Sequence, residues 1–207
     1  MGKLFATIEA DCISDCSSME AELADLDVLQ SRVDQLNAQN DALVREVQRL
    51  EVLCDHDAAL DVLNRRGLAY ALQSEISLVR RYRVVSCFIY FDLDYFKQIN
   101  DCYGHAQGDH ILEKMVDHIS SRLRQSDHFA RLGGDEFAII LSHTTREQGL
   151  RKMARLAKSI ARVSKAWGPG AQNLTFSAGV SEITSDLPPE DIIARADELM
   201  YLSKKKA

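Results

Sequence analysis

Two glycines followed by two acids, in Arg131-Leu-Gly-Gly-Asp-Glu-Phe137, are the feature that most constrains this chain. Apolar runs at residues 129–132 and 137–141 flank them, and both are typical of strands. A Gly-Gly pair between two strands predicts a tight hairpin, because glycine supplies the positive φ that such turns require. Asp135 and Glu136 are then expected at the hairpin tip, where a ligand can approach a bare backbone closely. On this pattern alone, a solvated acidic hairpin is an adequate interpretation.

A second acidic strand end lies upstream. Residues 84–91 are largely apolar and contain no Gly or Pro, which predicts a fully buried central strand. The run leads into Asp92 and Asp94, which share one face because side chains alternate along a strand. Ionised acids at the end of a buried strand are costly unless they are paired or bind metal. We therefore expect Asp92, Asp135 and Glu136 to form a hard-oxygen site for Mg²⁺. Asp94 is either a further ligand or a structural acid that hydrogen-bonds the following turn.

Composition excludes several classes of protein. At 207 residues, the chain is long enough for one ordinary domain with an appendage. Its net charge of -6 and pI near 5.5 argue against a general nucleic-acid binder, which would be basic. The five scattered cysteines are typical of reduced thiols, and no Cys or His pair near Cys12 and Cys16 completes a zinc set. No apolar stretch has the length of a membrane span, and no signal-peptide core is present, so we expect a soluble cytoplasmic protein.

The N-terminal part of the chain carries a heptad pattern. Apolar residues recur at the a positions Leu26, Val33, Val47 and Cys54, with Asn40 at the remaining one, and at the d positions Leu29, Leu36, Leu43 and Leu50. Leucine at d with valine at a favours two parallel strands, and one Asn at a fixes the register at a cost in stability. The pattern predicts a parallel dimeric coiled coil as a stalk over residues 19–56. A single amphipathic helix packed on its own domain is the alternative. Residues 1–18 show no clear periodicity.

The rest of the chain, residues 57–207, alternates between helical and strand patterns. Beyond the strand and the hairpin, we expect a second buried strand over residues 174–181. A turn followed by a helix is expected over residues 61–82, and helices are expected over residues 108–123, 146–164 and 189–204. Interleaved strands and helices predict an α/β or α+β domain whose helices cover a mostly antiparallel sheet.

Three motifs in this domain resemble those of the GGDEF family of diguanylate cyclases. They are Phe91-Asp-Leu-Asp-Tyr-Phe-Lys-Gln-Ile-Asn-Asp-Cys-Tyr-Gly-His105, then Gly108-Asp109, then Arg131-Leu-Gly-Gly-Asp-Glu-Phe137. The resemblance extends from about residue 57 to the C-terminus, with the motifs in order and at the family's spacings, which is far more specific than one short pattern. It implies a palm-like fold related to nucleotide cyclases and polymerases. It also implies an enzyme that condenses two GTP molecules into cyclic di-GMP.

The resemblance assigns the metal site. Asp92 and Asp135 match the family's metal-binding acids, with the backbone carbonyl of Leu93 as a further ligand, and Glu136 matches the second acid of the signature. Two Mg²⁺ or Mn²⁺ ions per active site are implied, which stabilise the attacking and the leaving oxygen. Asp135, or a water that it polarises, is the expected acceptor of the 3′-hydroxyl proton.

The resemblance also assigns the nucleotide contacts. Asn100 and Asp109 match the guanine-reading residues, since an amide and a carboxylate together exclude adenine. Gly133 and Gly134 let the backbone approach the nucleotide without a Cβ clash. The remaining matched substrate contacts are Phe96 and the phosphate-binding lysines Lys97 and Lys204. His105 is either a substrate contact or a structural imidazole that bonds backbone.

Two segments depart from the family pattern. The domain opens with Asp57-Ala-Ala-Leu-Asp-Val-Leu-Asn-Arg-Arg66, in which Leu60 and Asp61 replace the usual Thr and Gly. This change alters the turn that joins the stalk to the domain. The chain ends at residue 207 without the usual Gly-Arg-Asn tail, so Lys205 or Lys206 would have to replace a phosphate-binding arginine.

A further motif resembles the family's inhibitory site for its own product. Arg124-Gln-Ser-Asp127 has the expected spacing from the signature. Arginine can clamp a phosphate and stack on a base, and aspartate can accept from guanine. Arg155 is a candidate for completing a second half-site across a dimer. A surface ion pair between Arg124 and Asp127 is the alternative.

The leading hypothesis is an active homodimeric diguanylate cyclase that uses GTP, is inhibited by cyclic di-GMP, and contacts neither nucleic acid nor membrane. The alternative is a non-catalytic receptor that binds GTP or cyclic di-GMP and signals through the coiled coil. Receptors of that kind typically lose signature acids, and this chain keeps both. The sequence does not identify the signal that acts on the stalk.

Overall fold

A computed structural model describes residues 30–47 and 55–205 of the chain. The chain forms two compact units, residues 1–52 and 53–207, which are described separately. Among the described residues, no helix combines the length and the apolar character needed to cross a membrane.

Within the first unit, residues 30–47 form one helix, α1. Every side chain in it is exposed in the single chain, including those of Val33, Leu36, Leu43 and Val47 on the predicted seam. The predicted helix is therefore confirmed over these residues, while its pairing with a second copy stays a prediction. The other predicted seam positions, namely Leu26, Leu29, Leu50 and Cys54, lie outside the described residues, as do residues 1–18 and Lys206.

The second unit contains a four-stranded sheet and five α-helices. In chain order these elements are α2 (Arg65–Tyr82), β1 (Ser86–Leu93), α3 (Phe96–Tyr103), α4 (His105–Ser120), β2 (His128–Arg131), β3 (Glu136–Leu141), α5 (Arg146–Val163), β4 (Phe176–Ile183) and α6 (Pro189–Lys204). Two short 3₁₀ helices, Ser164–Ala166 and Ala171–Asn173, connect α5 to β4.

The sheet has the order β2-β3-β1-β4, and its three strand pairs are all antiparallel. This confirms the predicted antiparallel sheet. All eight residues of β1 are buried, because helices cover both faces of this central strand. Ile89 and Phe91 face a core shared with α4 and α5, while Phe88 and Tyr90 face a core shared with α2 and α6.

Aromatic side chains fill the first of these cores next to the acidic strand ends. The ring of Phe91 lies 5.5 Å from that of Phe137 and 5.3 Å from that of Phe176, measured between centroids. Phe129 on β2 completes the cluster at 6.1 Å from Phe91. Buried aromatic contacts of this kind stabilise by about 0.5–1.5 kcal/mol each beyond area burial. The cluster therefore makes a rigid base for the strand ends that carry Asp92 and Glu136.

Several boundaries differ from the sequence predictions. Within the turn and helix predicted over residues 61–82, α2 begins at Arg65, because the Asn64 side chain caps the helix by accepting from the N–H groups of Arg66 and Gly67. The preceding residue, Leu63, forms an isolated bridge to Ala130 of β2. α4 spans residues 105–120 instead of 108–123, and β4 spans 176–183 instead of 174–181. The sequence reading missed the short helix α3 entirely.

Candidate active site

The two acidic motifs meet at one end of the central strands. Asp92 of β1 lies directly opposite Glu136 of β3 in the strand register. One residue further along, the N–H of Leu93 donates to the carbonyl of Asp135 at 3.1 Å. The structure therefore brings together all four residues that were predicted to bind metal.

Asp92 is the most buried of these acids and has a cationic partner. It is 9% exposed, and its Oδ1 accepts from Nζ of Lys204 at 2.5 Å. Burial raises the pKa of Asp92, and the neighbouring Asp135 carboxylate raises it further, while Lys204 lowers it. The hydrogen bond to Asp92 in turn raises the pKa of Lys204. The effect of burial on the pKa of Asp92 outweighs that of the ion pair. Removing a carboxylate from water costs more free energy than its interaction with one partly exposed ammonium group recovers.

Helix α6 brings Lys204 to this position. A Cβ on Gly179 of β4 would collide with the backbone of Ala196 and Met200, so the absence of a side chain lets the helix lie against the sheet. Lys204 is the last residue of α6, and it lies beside the acidic ends of β1 and β3. The sequence predicted Lys204 as a phosphate contact, whereas here its ammonium group is bound to Asp92.

Glu136 is held by its own surroundings. Burial raises the pKa of the Tyr90 hydroxyl, and Glu136 contributes to the same shift by its charge and as a hydrogen-bond partner. A Cβ on Gly133 would lie 2.7 Å from Oε2 of Glu136. The carboxylate therefore packs between a buried tyrosine and the backbone of the turn.

The hairpin turn differs from the expected geometry. Neither Gly133 nor Gly134 has a positive φ; the glycines that do, within the described chain, are Gly104, Gly168 and Gly170. The expectation of positive φ at the signature glycines was therefore wrong. The N–H of Leu132 donates to the carbonyl of Glu136 at 2.8 Å, which leaves a three-residue loop instead of a two-residue turn. A Cβ at residue 133 would force the end of the Glu136 side chain to move, while a Cβ on Gly134 would point into open space.

Asp94 has a structural environment. Its two carboxylate oxygens accept from the hydroxyl groups of Ser177 and Thr175, both at 2.8 Å. Its N–H also donates to the carbonyl of Thr175 at 3.0 Å. Of the two interpretations left open by the sequence, these contacts favour the structural acid, which fastens the end of β1 to the start of β4.

The donor set fits a hard divalent cation. Asp92, Asp135 and Glu136 supply carboxylates, and Leu93 supplies a backbone carbonyl at the same strand ends. Within residues 30–47 and 55–205, no three acidic, His or Cys side chains converge into a preformed metal cage. Mg²⁺ does not require one, since it is commonly held by one or two carboxylates together with substrate phosphates. The cationic Lys204 on Asp92 indicates that the acids need a positive charge beside them.

The predicted guanine readers lie on two adjacent helices. A Cβ on Gly108 of α4 would collide with Oδ1 of Asn100 on α3, so Gly108 provides the space that this amide occupies. Oδ1 of Asn100 is buried and accepts no hydrogen bond from any residue within 30–47 or 55–205. A buried acceptor without a donor costs about 1–3 kcal/mol, which points to a ligand as its partner. Asp109 follows Gly108 directly and is exposed.

The other predicted nucleotide contacts differ in exposure. Lys97 and His105 are exposed on α3 and at the start of α4. Phe96 is only 5% exposed and belongs to the hydrophobic core, so it packs helix α3 against that core.

The predicted product-inhibition residues line one groove. Arg124, Asp127 and Arg155 of the same chain surround a cavity of about 910 Å³. Seven basic side chains line it with a single acid, Asp127; besides the two arginines already named, they are Arg122, Arg151, Lys152, Lys158 and Arg162. Most of these cations come from α5. The groove is therefore strongly cationic, although the chain as a whole is acidic.

Asp127 forms the wall of this groove. Its side chain is 2% exposed, and Oδ2 accepts from Nζ of Lys152 at 2.9 Å and from the N–H of Arg124 at 3.0 Å. The surface ion pair considered between Arg124 and Asp127 is therefore replaced by a buried pair with Lys152. Asp127 shapes the turn and leaves the Arg124 guanidinium beside the groove.

The sequence reading missed three residues of these sites. Lys152 and Tyr90 each bind a predicted acid, and Arg131 hydrogen-bonds the carbonyls of both signature glycines. Two sequence signals could have identified the first two residues. Lys152 is a basic residue that is not fully exposed on α5, and Tyr90 is a tyrosine two residues before Asp92 in an otherwise apolar strand. Arg131 is the first residue of the signature motif Arg131-Leu-Gly-Gly-Asp-Glu-Phe137.

Comparison with known proteins agrees with this geometry. Residues 54–207 match the GGDEF family, described as "Diguanylate cyclase, GGDEF domain". Diguanylate cyclase DgcP from Pseudomonas aeruginosa is 33% identical over 160 residues, which are 77% of this chain and 24% of that protein. Diguanylate cyclase A from Treponema denticola is 40% identical over 115 residues, 55% of this chain and 31% of that protein. The chain thus spans about a quarter to a third of the length of these relatives.

The fold also matches solved structures. A microbial GGDEF domain studied for its interaction with cyclic di-GMP is 27% identical, with a TM-score of 0.67. The match covers 76% of this chain and 95% of that one. Sequence, sheet topology and the meeting of the two acidic motifs agree, and the chain belongs to the GGDEF domain family.

Proposed function

We propose that this chain is a diguanylate cyclase, which converts two GTP molecules into cyclic di-GMP and two pyrophosphates. The observation that carries the proposal is the meeting of Asp92, Asp135 and Glu136 at the ends of β1 and β3. Relatives named diguanylate cyclase, and the family match over residues 54–207, support the same activity.

In this reaction each 3′-hydroxyl oxygen attacks the α-phosphate of the partner nucleotide. A phosphodiester bond forms, the bond between the α- and β-phosphates breaks, and pyrophosphate leaves with the electron pair. Asp135, or a water that it polarises, accepts the proton of the 3′-hydroxyl. Asp92, Glu136 and the Leu93 carbonyl would hold two divalent cations per site, Mg²⁺ or Mn²⁺. When bound, such ions would supply positive charge against the charge that develops on the phosphates.

Guanine is selected by Asn100 and Asp109. The unpartnered Oδ1 of Asn100 supports this assignment, because it is an acceptor with a fixed position and no donor from the protein. Donors on the guanine ring satisfy it, and the carboxylate of Asp109 accepts from the neighbouring ring N–H and amine. Adenine lacks this donor pattern, so the site discriminates against it. Lys97 and Lys204 are the residues that would contact phosphate.

The cyclase works as a homodimer, because each half-site presents one GTP to the other. The exposed seam of α1 supports pairing through a parallel coiled coil: Val33, Leu36, Leu43 and Val47 lie uncovered on one helix. Covering such a seam by a second copy removes apolar surface from water, at about 25 cal/mol per Å².

Product inhibition is the proposed role of the basic groove. Cyclic di-GMP carries two phosphates, and Arg124 and Arg155 can each clamp one of them. Asp127 fixes the turn that carries Arg124. The seven cations of the groove support an anionic ligand of this size. The structural neighbour studied with cyclic di-GMP supports the same class of ligand.

The test is direct. Purified protein is incubated with GTP and Mg²⁺, and the nucleotides are identified by mass spectrometry. We expect cyclic di-GMP and pyrophosphate, and no product with ATP in place of GTP or with EDTA in place of Mg²⁺. Absence of cyclic di-GMP under all divalent cations tested would sink the proposal.

A receptor is the second candidate function. It is favoured by one observation: Lys204 already neutralises Asp92. A receptor binds GTP or cyclic di-GMP with no turnover, so isothermal titration with each nucleotide, run beside the incubation, separates the two functions.

A further inference from the structure

Two guanidinium groups hold the signature turn. Arg131 donates from Nε to the carbonyl of Gly133 at 3.0 Å and from Nη2 to the carbonyl of Gly134 at 2.9 Å. Arg65, the first residue of α2, donates from Nη2 to the carbonyl of Leu132 at 3.2 Å. Three successive carbonyls of the turn therefore each accept from a charged donor.

The third arm of Arg131 reaches the first loop of the domain. Its Nη1 lies 3.4 Å from Oδ1 of Asp57. The same oxygen accepts from the N–H groups of Ala59 and Leu60, both at 3.0 Å, so the chain that follows Asp57 fixes its carboxylate. The two side chains are 17% and 21% exposed, and a pair this far from water is screened less than a surface pair.

Backbone hydrogen bonds align the loop with β2 beside this pair. The N–H of Leu63 donates to the carbonyl of Phe129 at 2.9 Å, and the N–H of Arg131 donates to the carbonyl of Leu63 at 2.8 Å. Arg131 is thus fixed at its backbone by Leu63 and at its guanidinium by Asp57. Between these two anchors, its side chain bonds the turn.

Only a side chain with several donors in fixed planar geometry, as in the guanidinium group of arginine, fits this arrangement. A guanidinium has five N–H donors in fixed geometry and can serve two carbonyls and a carboxylate at once, whereas an ammonium is a compact point charge. Two adjacent glycines have the greatest backbone freedom of any pair, so the turn does not fix its own shape. Its conformation depends on donors from outside.

We infer that Arg131 and Asp57 form a positioning pair that fixes the Gly133-Gly134 turn from the first loop of the domain. Through the turn, the pair fixes Asp135 and Glu136. The catalytic consequence rests on the proposed cyclase function, while the structural consequence does not. The pair is compatible with Leu60 and Asp61 in place of the family's Thr and Gly. The Asp57 carboxylate is held by backbone N–H groups, which every residue except proline supplies.

Amide hydrogen exchange of the nucleotide-free full chain tests the structural part. In Arg131→Lys, we expect a peptide covering residues 131–137 to exchange about tenfold faster than in the parent chain, since a hydrogen bond to a charged group is lost. Peptides from β4 should exchange at the parent rate. Unchanged exchange over residues 131–137 would overturn the pair, whether or not the protein makes cyclic di-GMP.

Steady-state kinetics test the catalytic part. Arg131→Lys should lower kcat about tenfold and leave KM for GTP within about threefold, because misplacement of acids removes stabilisation made only in the transition state. Asp57→Asn keeps the Oδ1 acceptor and loses only the charge, so it should lower kcat by less. It is also the variant to use if Arg131→Lys does not fold. Asp61→Asn, an exposed acid in the same loop, is the matched control and should match the parent. A raised KM with unchanged kcat would contradict positioning.

Discussion

Asp92 and Glu136 lie directly opposite each other across β1 and β3, although two helices and a strand separate them in the chain. Side chains paired in this way lie on the same face of a sheet, about 4.5–5.5 Å apart at Cβ. Two carboxylates at that distance repel unless a cation lies near. Lys204 supplies one in this structure.

The first prediction concerns pH. Burial raises the pKa of Asp92, and Lys204 opposes that shift, so Lys204→Gln should raise the pKa further. An acid with a raised pKa is protonated, and lost as a metal ligand, at a higher pH. We therefore expect the acid limb of the pH profile of kcat/KM for GTP, which reports groups of the free enzyme, to move to higher pH in Lys204→Gln. Lys165→Gln, which changes an exposed lysine in the 3₁₀ helix Ser164–Ala166, is the control. Identical acid limbs in both variants would contradict the assignment.

The second prediction concerns Gly108. An added methyl collides with Oδ1 of Asn100, so Gly108→Ala should displace the amide and raise KM for GTP roughly tenfold, the loss of about one good hydrogen bond. Gly149→Ala is a matched control, because its methyl would meet Cys87 in the core of the domain instead. Both variants should lose stability by about 1–3 kcal/mol through overpacking. A rise in KM for Gly149→Ala equal to that for Gly108→Ala would show that the effect is not local.

The third prediction concerns the basic groove. Arg124→Ala should leave the initial rate near the parent value, because the metal acids and Asn100 are untouched. Progress curves of the parent should bend as product accumulates, while those of the variant stay straight for longer. Arg81→Ala, a cation on α2 that contacts Tyr82, is the control. If added cyclic di-GMP only raises the apparent KM for GTP, product competes at the active site and the groove is not the inhibitory site.

The fourth prediction concerns the seam of α1. Leu43 is 67% exposed in the single chain. Placing a charge at this seam position, in Leu43→Lys, should weaken dimerisation, so that specific activity falls steeply on dilution. The stalk otherwise keeps the two half-sites at a high effective concentration, of order millimolar for short flexible linkers. Asp41→Lys, outside the a and d positions, is the control. Flat specific activity from a variant that sedimentation shows to be monomeric would refute the dimer requirement.

Much of the site follows from local sequence. The continuous apolar runs of β1 and β3 place Asp92 and Glu136 at strand ends, because an apolar run without Gly or Pro that borders on an acid is typical of a buried strand that ends there. The conformation of the turn does not follow in the same way. A Gly-Gly pair favours a two-residue turn, but here Asp135 belongs to the loop, and the hydrogen bond from Leu132 to Glu136 closes three residues.

Contacts between distant side chains are the part that could not be predicted. The pairing of Lys152 with Asp127, of Lys204 with Asp92, and of Arg131 with Asp57 joins residues whose distance in the chain gives no pattern. α3 was missed for a different reason. Its eight residues are too few and too polar for a clear apolar periodicity, and only Phe96 and Ile99 are buried.

The central claim is that the acids at the ends of β1 and β3 perform cyclisation, and Asp135→Asn tests it most directly. A neutral amide holds Mg²⁺ poorly and cannot accept the 3′-hydroxyl proton. Parent and variant are incubated with GTP and Mg²⁺ at equal concentration, and cyclic di-GMP is quantified over time, with the melting temperature and oligomeric state recorded for both. We predict steady formation of cyclic di-GMP by the parent and none by a variant that remains folded and of the same oligomeric state. Equal rates from the two proteins would contradict the account.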